Sequence, residues 1–75
     1  MERYGNLSGD SGVVAYRVGP NSITVKFQDG WSYLYTYAST GAVHVEAMKK
    51  LAASGRGLST YISRNVGKAF ASRSR

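Results

Sequence analysis

The chain has 75 residues, no cysteine, one histidine, and ten Lys and Arg against four Asp and Glu, a formal net charge of +6. That length makes one domain with a modest core, and without cysteine neither disulfides nor thiolate metal ligands can staple it, so packing must. The longest apolar runs fall far short of the roughly 20 residues that cross a bilayer, and Met1-Glu2-Arg3-Tyr4 does not open a secretory signal, so the expectation is a soluble, cytoplasmic protein without membrane contact.

Residues 1–12 mix Gly, Ser, Asn and Asp with only Tyr4 and Leu7 as anchors, which predicts a flexible N-terminal arm. Val13 to Val18 is short and rich in β-branched residues, and Gly19-Pro20-Asn21-Ser22 is a turn cluster, so a first strand ends there. Ile23, Val25 and Phe27 alternate with Thr24, Lys26 and Gln28, the period of a half-buried strand. Asp29-Gly30 is the strongest hairpin signal in the chain. A two-residue loop there would set the aromatic residues on the face opposite Ile23, Val25 and Phe27. A three-residue loop closed by Gly30 in a bulge would set Phe27 against Trp31, Val25 against Tyr33 and Ile23 against Tyr35 on one face. A small domain needs the apolar area that the bulged register buries, about 1.5 to 3 kcal/mol for each large side chain, and that register is the expectation, with Trp31, Tyr33 and Phe27 as core. Thr24, Lys26, Ser32, Leu34 and Thr36 then form a mostly polar opposite face.

After Tyr37 the period changes. Residues 38–41 read as a loop from which Ser39 or Thr40 caps a helix carrying Val43, Ala47, Met48, Leu51 and Ala52 inward and Lys49 and Lys50 outward. Ser54-Gly55-Arg56-Gly57 stops it. Leu58, Tyr61, Ile62 and Val66 mark a second short helix, capped by Ser59 or Thr60 and prolonged by Ala69 to Ala71, before a basic tail over 71–75 frays. The fold class expected is α+β: a three-stranded antiparallel meander followed by one or two helices packed on one face, within a single domain over 13–70.

Val25 to Tyr35, together with Ala52-Ala53-Ser54-Gly55 and Tyr61-Ile62, resembles the KTSC domain, a family of this size found alone in bacterial and phage-type proteins and at the C-terminus of some lysyl-tRNA synthetases. The likeness covers residues 11–66. The family's alternating apolar residues, Gly and Tyr-x-Tyr fall on Val25, Phe27, Gly30, Tyr33 and Tyr35, an upstream Tyr on Tyr16, and a small-residue break on Ala52, Ser54 and Gly55. Thr36 to Ser39 replaces the Val-Pro that often follows Tyr-x-Tyr, and Arg73-Ser74-Arg75 lies outside the pattern. The resemblance implies RNA binding and a bacterial or phage-infected host cell as the setting.

Catalysis needs convergent acids, bases or ligands, and one His with four carboxylates offers few. His44 and Glu46, two positions apart on a helix, point to different sides. Gly55-Arg56-Gly57 lacks the Lys-Ser or Lys-Thr of a phosphate loop. No catalytic residue, metal site, cofactor or small-molecule substrate is therefore expected, and the protein reads as non-enzymatic. Charge is more telling. Residues 1–48 hold Arg3, Arg17 and Lys26 against Glu2, Asp10, Asp29 and Glu46, while Lys49, Lys50, Arg56, Arg64, Lys68, Arg73 and Arg75 follow with no acid at all. That asymmetry points to a polyanionic partner. The candidate contacts are those seven cations, with Lys49, Lys50, Arg56, Arg64 and Lys68 along the outer side of the helices, plus Tyr35 and Tyr37 as rings near the surface. RNA or single-stranded nucleic acid is the first partner class. The alternative is a phage-type regulator that docks on RNA polymerase and alters transcription initiation or termination.

Overall fold

The computed structural model describes residues 1–7, 9 and 12–75. Its sheet has five antiparallel strands, β1 (Glu2–Arg3), β2 (Val13–Gly19), β3 (Ser22–Phe27), β4 (Ser32–Thr36) and β5 (Ser72–Ser74), in the order β1-β2-β3-β4-β5. Three helices, α1 (Tyr37–Thr40), α2 (Ala42–Ser54) and α3 (Leu58–Tyr61), lead into a π-helical turn, Ile62–Val66. The α+β class holds, with two more strands than the three expected.

The central hairpin adopts the bulged register. Gly30, at φ +91°, donates to the Phe27 carbonyl at 3.0 Å, the Phe27 N–H donates to the Trp31 carbonyl at 2.9 Å, and the Asp29 carboxylate accepts from the Trp31 N–H at 3.0 Å. A positive φ at the closing position is the conformation glycine supplies without strain. Ile23 then pairs with Tyr35 and Val25 with Tyr33, all facing the helices.

Both chain ends depart from expectation. Within residues 1–12, expected as an arm, Glu2 and Arg3 pair with Tyr16 and Ala15, and Tyr4 is 3% exposed. The Tyr4 hydroxyl accepts from the Leu58 N–H at 3.3 Å, and the Leu7 N–H donates to the Gly55 carbonyl at 2.7 Å. A β-carbon on Gly55 would stand 3.3 Å from the Cα of Gly5, so two glycines let the segment lie against the end of α2. One buried aromatic ring with a hydrogen-bonded hydroxyl outweighs the polar composition around it. Positions 8, 10 and 11 of the expected arm lie outside the described residues. The basic tail, expected to fray, is β5: Leu34, Tyr33 and Ser32 pair with Ser72, Arg73 and Ser74. The bare edge of β4 offers backbone donors and acceptors that any extended segment, even a polar one, can satisfy.

The helix layer also differs in detail. Thr36 caps α1 over residues read as loop, exchanging hydrogen bonds with Ser39 in a capping box. Neither α2, preceded by Gly41, nor α3, preceded by Gly57, has a side-chain cap, so Ser39, Thr40, Ser59 and Thr60 do not play that part for them. The buried stripe of α2 is Val45, Met48 and Ala52, while Val43 is 81% exposed. Apolar residues lie all round α2, so spacing alone could not choose its inner face. The chain turns at Gly67, whose N–H donates to the Ile62 carbonyl at 2.7 Å, and residues 69–71 run on without prolonging the helix. Ile23, Val25, Tyr35, Val45, Met48, Ala52, Leu58, Ile62 and Val66 join Tyr4 and Val13 in one core.

Candidate functional site

The helix layer does not cover its face of the sheet evenly. Lys49 of α2 donates to the Pro20 carbonyl at 3.2 Å, which fixes the helix over the end of the hairpin where Ile23 and Tyr35 pair. At the other end Phe27, Tyr33 and Trp31 are only partly buried, and a groove of roughly 780 Å³ opens. Its floor is aromatic: Tyr33 meets Phe27 edge to face at 5.4 Å and Phe70 at 4.9 Å. Ser59, Ile62 and Ser63 of α3 and the π-helical turn form one wall, and the charged residues of the lining are the cations Lys68 and Arg73 and, in the hairpin loop, Asp29, whose carboxylate is held by the Trp31 N–H. For so short a chain this is a large opening, and volumes of about 300–1,000 Å³ are usual for ligand sites.

Phe70 reaches the floor because its neighbours are tied down on both sides. The Ala71 N–H donates to the Leu34 carbonyl at 2.7 Å, and the Thr40 hydroxyl donates to the Ala69 carbonyl at 2.6 Å. Past it, β5 carries Arg73 alongside Tyr33, and the guanidinium groups of Arg73 and Arg75 lie 5.0 and 5.2 Å from the centre of the Trp31 ring. Arg75 also donates to the Asp29 carbonyl at 3.2 Å. Cations over an indole face are held by its quadrupole while their outer N–H groups stay free to bond.

Of the residues expected to make contact, Lys68 and Arg73 line this groove, Arg75 stands beside it over Trp31, and Tyr35 reaches it only from the core beneath. The others lie elsewhere. Tyr35 is 2% exposed, packed against Tyr33 and Phe70, and burial foremost, then the neighbouring Tyr33, pushes its hydroxyl up to about 12; it is a core residue and not a surface ring. Tyr37 is half-buried at the opposite end of the hairpin, about 17 Å away along β3. Its hydroxyl donates to Glu46 at 2.6 Å, which raises its own pKa, and Lys49 lies 5.7 Å over its ring. Lys49 is taken up there by Glu46 at 2.8 Å, and this hydrogen bond, then that from Tyr37, lowers the Glu46 carboxyl. Lys50, Arg56 and Arg64 are exposed on α2, in the α2–α3 turn and on the π-helical turn, apart from the groove rim. The cations therefore do not line a single surface along the helices. His44 bonds to the Tyr61 hydroxyl at 2.7 Å, away from Glu46, and among the described residues no three His, Asp or Glu side chains gather as metal ligands.

No family model, curated protein or solved structure matches the chain. The site is thus read from its own residues. Trp31 and Phe70, which sequence reasoning assigned to the core or to a helix end, are its additions. The Trp31-x-Tyr33 spacing beside the hairpin turn put Trp31 on the same side as Tyr33, and the two arginines at the chain end added to that signal, whereas nothing in the sequence pointed to Phe70.

Proposed function

We propose that this is a non-enzymatic binding module for single-stranded nucleic acid, RNA foremost, that seats unpaired bases in the groove and phosphates on Lys68, Arg73 and Arg75. The observation that carries it is the coincidence of an aromatic floor, Phe27, Tyr33 and Phe70, with a cationic rim and a guanidinium-flanked indole at one opening. Unstacked bases present a π-face to any exposed ring, with about 1–3 kcal/mol per stacked base, and the backbone supplies the charge that the cations meet. Recognition of this kind is tolerant of sequence. The resemblance to the KTSC domain supports the same reading.

Titration of the protein with a single-stranded 12-mer RNA at rising salt tests it. Binding that weakens steeply with salt is the expected result. Absence of binding at low salt, or binding indifferent to salt, contradicts it. A pull-down from nuclease-treated bacterial lysate separates the rival: retention of an RNA polymerase subunit in place of RNA would support the transcription regulator instead.

A further inference from the structure

The face of the sheet turned away from the helices carries a second, different concentration of charge. In the observed register Arg3 pairs with Ala15, Ala15 with Lys26, Lys26 with Ser32 and Ser32 with Ser74, a row that crosses all five strands. Val25, beside Lys26, is buried on the helix side, so this row points outward. Arg17, two residues along β2 from Ala15, pairs with Thr24 in the next outward row, which continues through Leu34 to Ser72. Arg3, Arg17 and Lys26 are all exposed, and among the described residues no hydrogen bond or ion pair engages their side chains. The acids of the described residues lie elsewhere: Glu2 pairs with Tyr16 on the helix side, Asp29 sits in the hairpin loop and Glu46 on α2. Thr24 stands beside Arg17, and the hydroxyls of Ser32, Ser72 and Ser74 continue the face past Lys26 on β4 and β5.

We infer that this outer face is a second interface, for the sugar-phosphate backbone of a nucleic-acid duplex. It goes beyond the groove and does not depend on it. The backbone positions of Arg3 and Lys26 are two strand spacings apart, about 10 Å, and Arg17 stands about 7 Å along the strand from the row between them. Three separated cations with hydroxyls beside and beyond them present the donor types that contact phosphate oxygens. Among the described residues the face has no aromatic ring to stack on an unpaired base, and its large apolar groups are Leu34 and Val14, the latter next to Ala15. That excludes base stacking and gives a lipid surface only two scattered aliphatic side chains, and it leaves a rigid array of phosphates as the complementary occupant. With the groove on the opposite side, one molecule holds a single strand on one face and a duplex on the other.

A 20-base-pair DNA duplex of mixed sequence removes base stacking in the groove, because its bases are closed, and paired variants of the two faces then separate their phosphate contacts. Fluorescence anisotropy is expected to show binding that is insensitive to sequence and falls with salt. The variant R3Q/R17Q/K26Q, altered only at exposed side chains, is expected to lose about tenfold or more in duplex affinity, and its log-log salt slope to shrink by about two to three. K68Q/R73Q is expected to bind the duplex as the wild type does. Ser74→Lys, which adds a cation to the row about 10 Å beyond Lys26, is expected to steepen the slope by about one, a gain that no folding defect mimics. Failure of the wild type to bind the duplex at low salt, or unchanged duplex binding by R3Q/R17Q/K26Q with an unchanged slope for Ser74→Lys, overturns the inference. A protein that binds duplex through these residues and ignores single strands leaves the outer face established and removes the groove.

Discussion

The two ends of the β3–β4 hairpin are built from the same kinds of residue and end in different states. Where Ile23 pairs with Tyr35, α2 lies across the strands and both side chains are sealed. Where Phe27 meets Trp31, the helices have passed, and Phe27, Tyr33, Trp31 and Phe70 keep part of their rings open beside Lys68 and Arg73. An aromatic row is therefore core or contact surface according to what covers it, and alternation along the strand cannot tell which. Tyr33 spans the change, stacked on Tyr35 on one side and edge-on to Phe27 and Phe70 on the other.

Substitutions can sharpen or break this contrast. At the closed end Tyr35→Ala is expected to cost about 3–5 kcal/mol in denaturant unfolding, enough to leave so small a domain largely unfolded. At the open end Trp31→Ala is expected to cost less than Tyr35→Ala, about 1–2 kcal/mol of stability, because the ring is only partly buried, yet to weaken single-strand binding about tenfold. If the two variants lose stability equally, the contrast fails. K68Q/R73Q, at the rim, is expected to lower the salt slope for a single-stranded oligonucleotide by about 1.4, with an unchanged melting temperature.

Alkaline pH offers a finer probe of the closed end. The Tyr35 hydroxyl ionises near 10 when unfolded and is held up to about 12 when folded, so the unfolded chain releases its proton first. Its contribution to stability is complete below pH 10 and is lost as pH rises toward 12. Tyr35→Phe should flatten that part of the stability profile, and an unchanged profile would show the hydroxyl to be already in water. A small effect is expected at Lys49→Gln, which breaks the partly exposed pair with Glu46 and the hydrogen bond to the Pro20 carbonyl: about 1 kcal/mol of stability, with oligonucleotide binding unaltered.

The hairpin was legible because Asp29-Gly30 and a strict period of two fix turn and register together. β1 and β5 were not: strands of two and three residues are too short for a pattern, and each exists because a neighbouring strand offered a free edge. Lys68, Arg73 and Arg75 could be picked out from the acid-free end of the chain, while Tyr35 could not be told from a surface ring, since the extent of α2 over the sheet is a tertiary fact. The outer-face cations escaped notice for another reason. Charge summed along residues 1–48 nearly cancels, but β-pairing sorts Arg3, Arg17 and Lys26 onto one side and leaves Glu2, Asp29 and Glu46 off it.

Trp31 is the only tryptophan, so its fluorescence reports directly on the mouth of the groove. Addition of single-stranded RNA at low salt is expected to quench and shift its emission as bases stack beside it, and added salt is expected to restore the free spectrum. Saturating binding, seen by anisotropy of the labelled RNA, with no change in that emission would place the contact elsewhere and contradict the assignment of the groove.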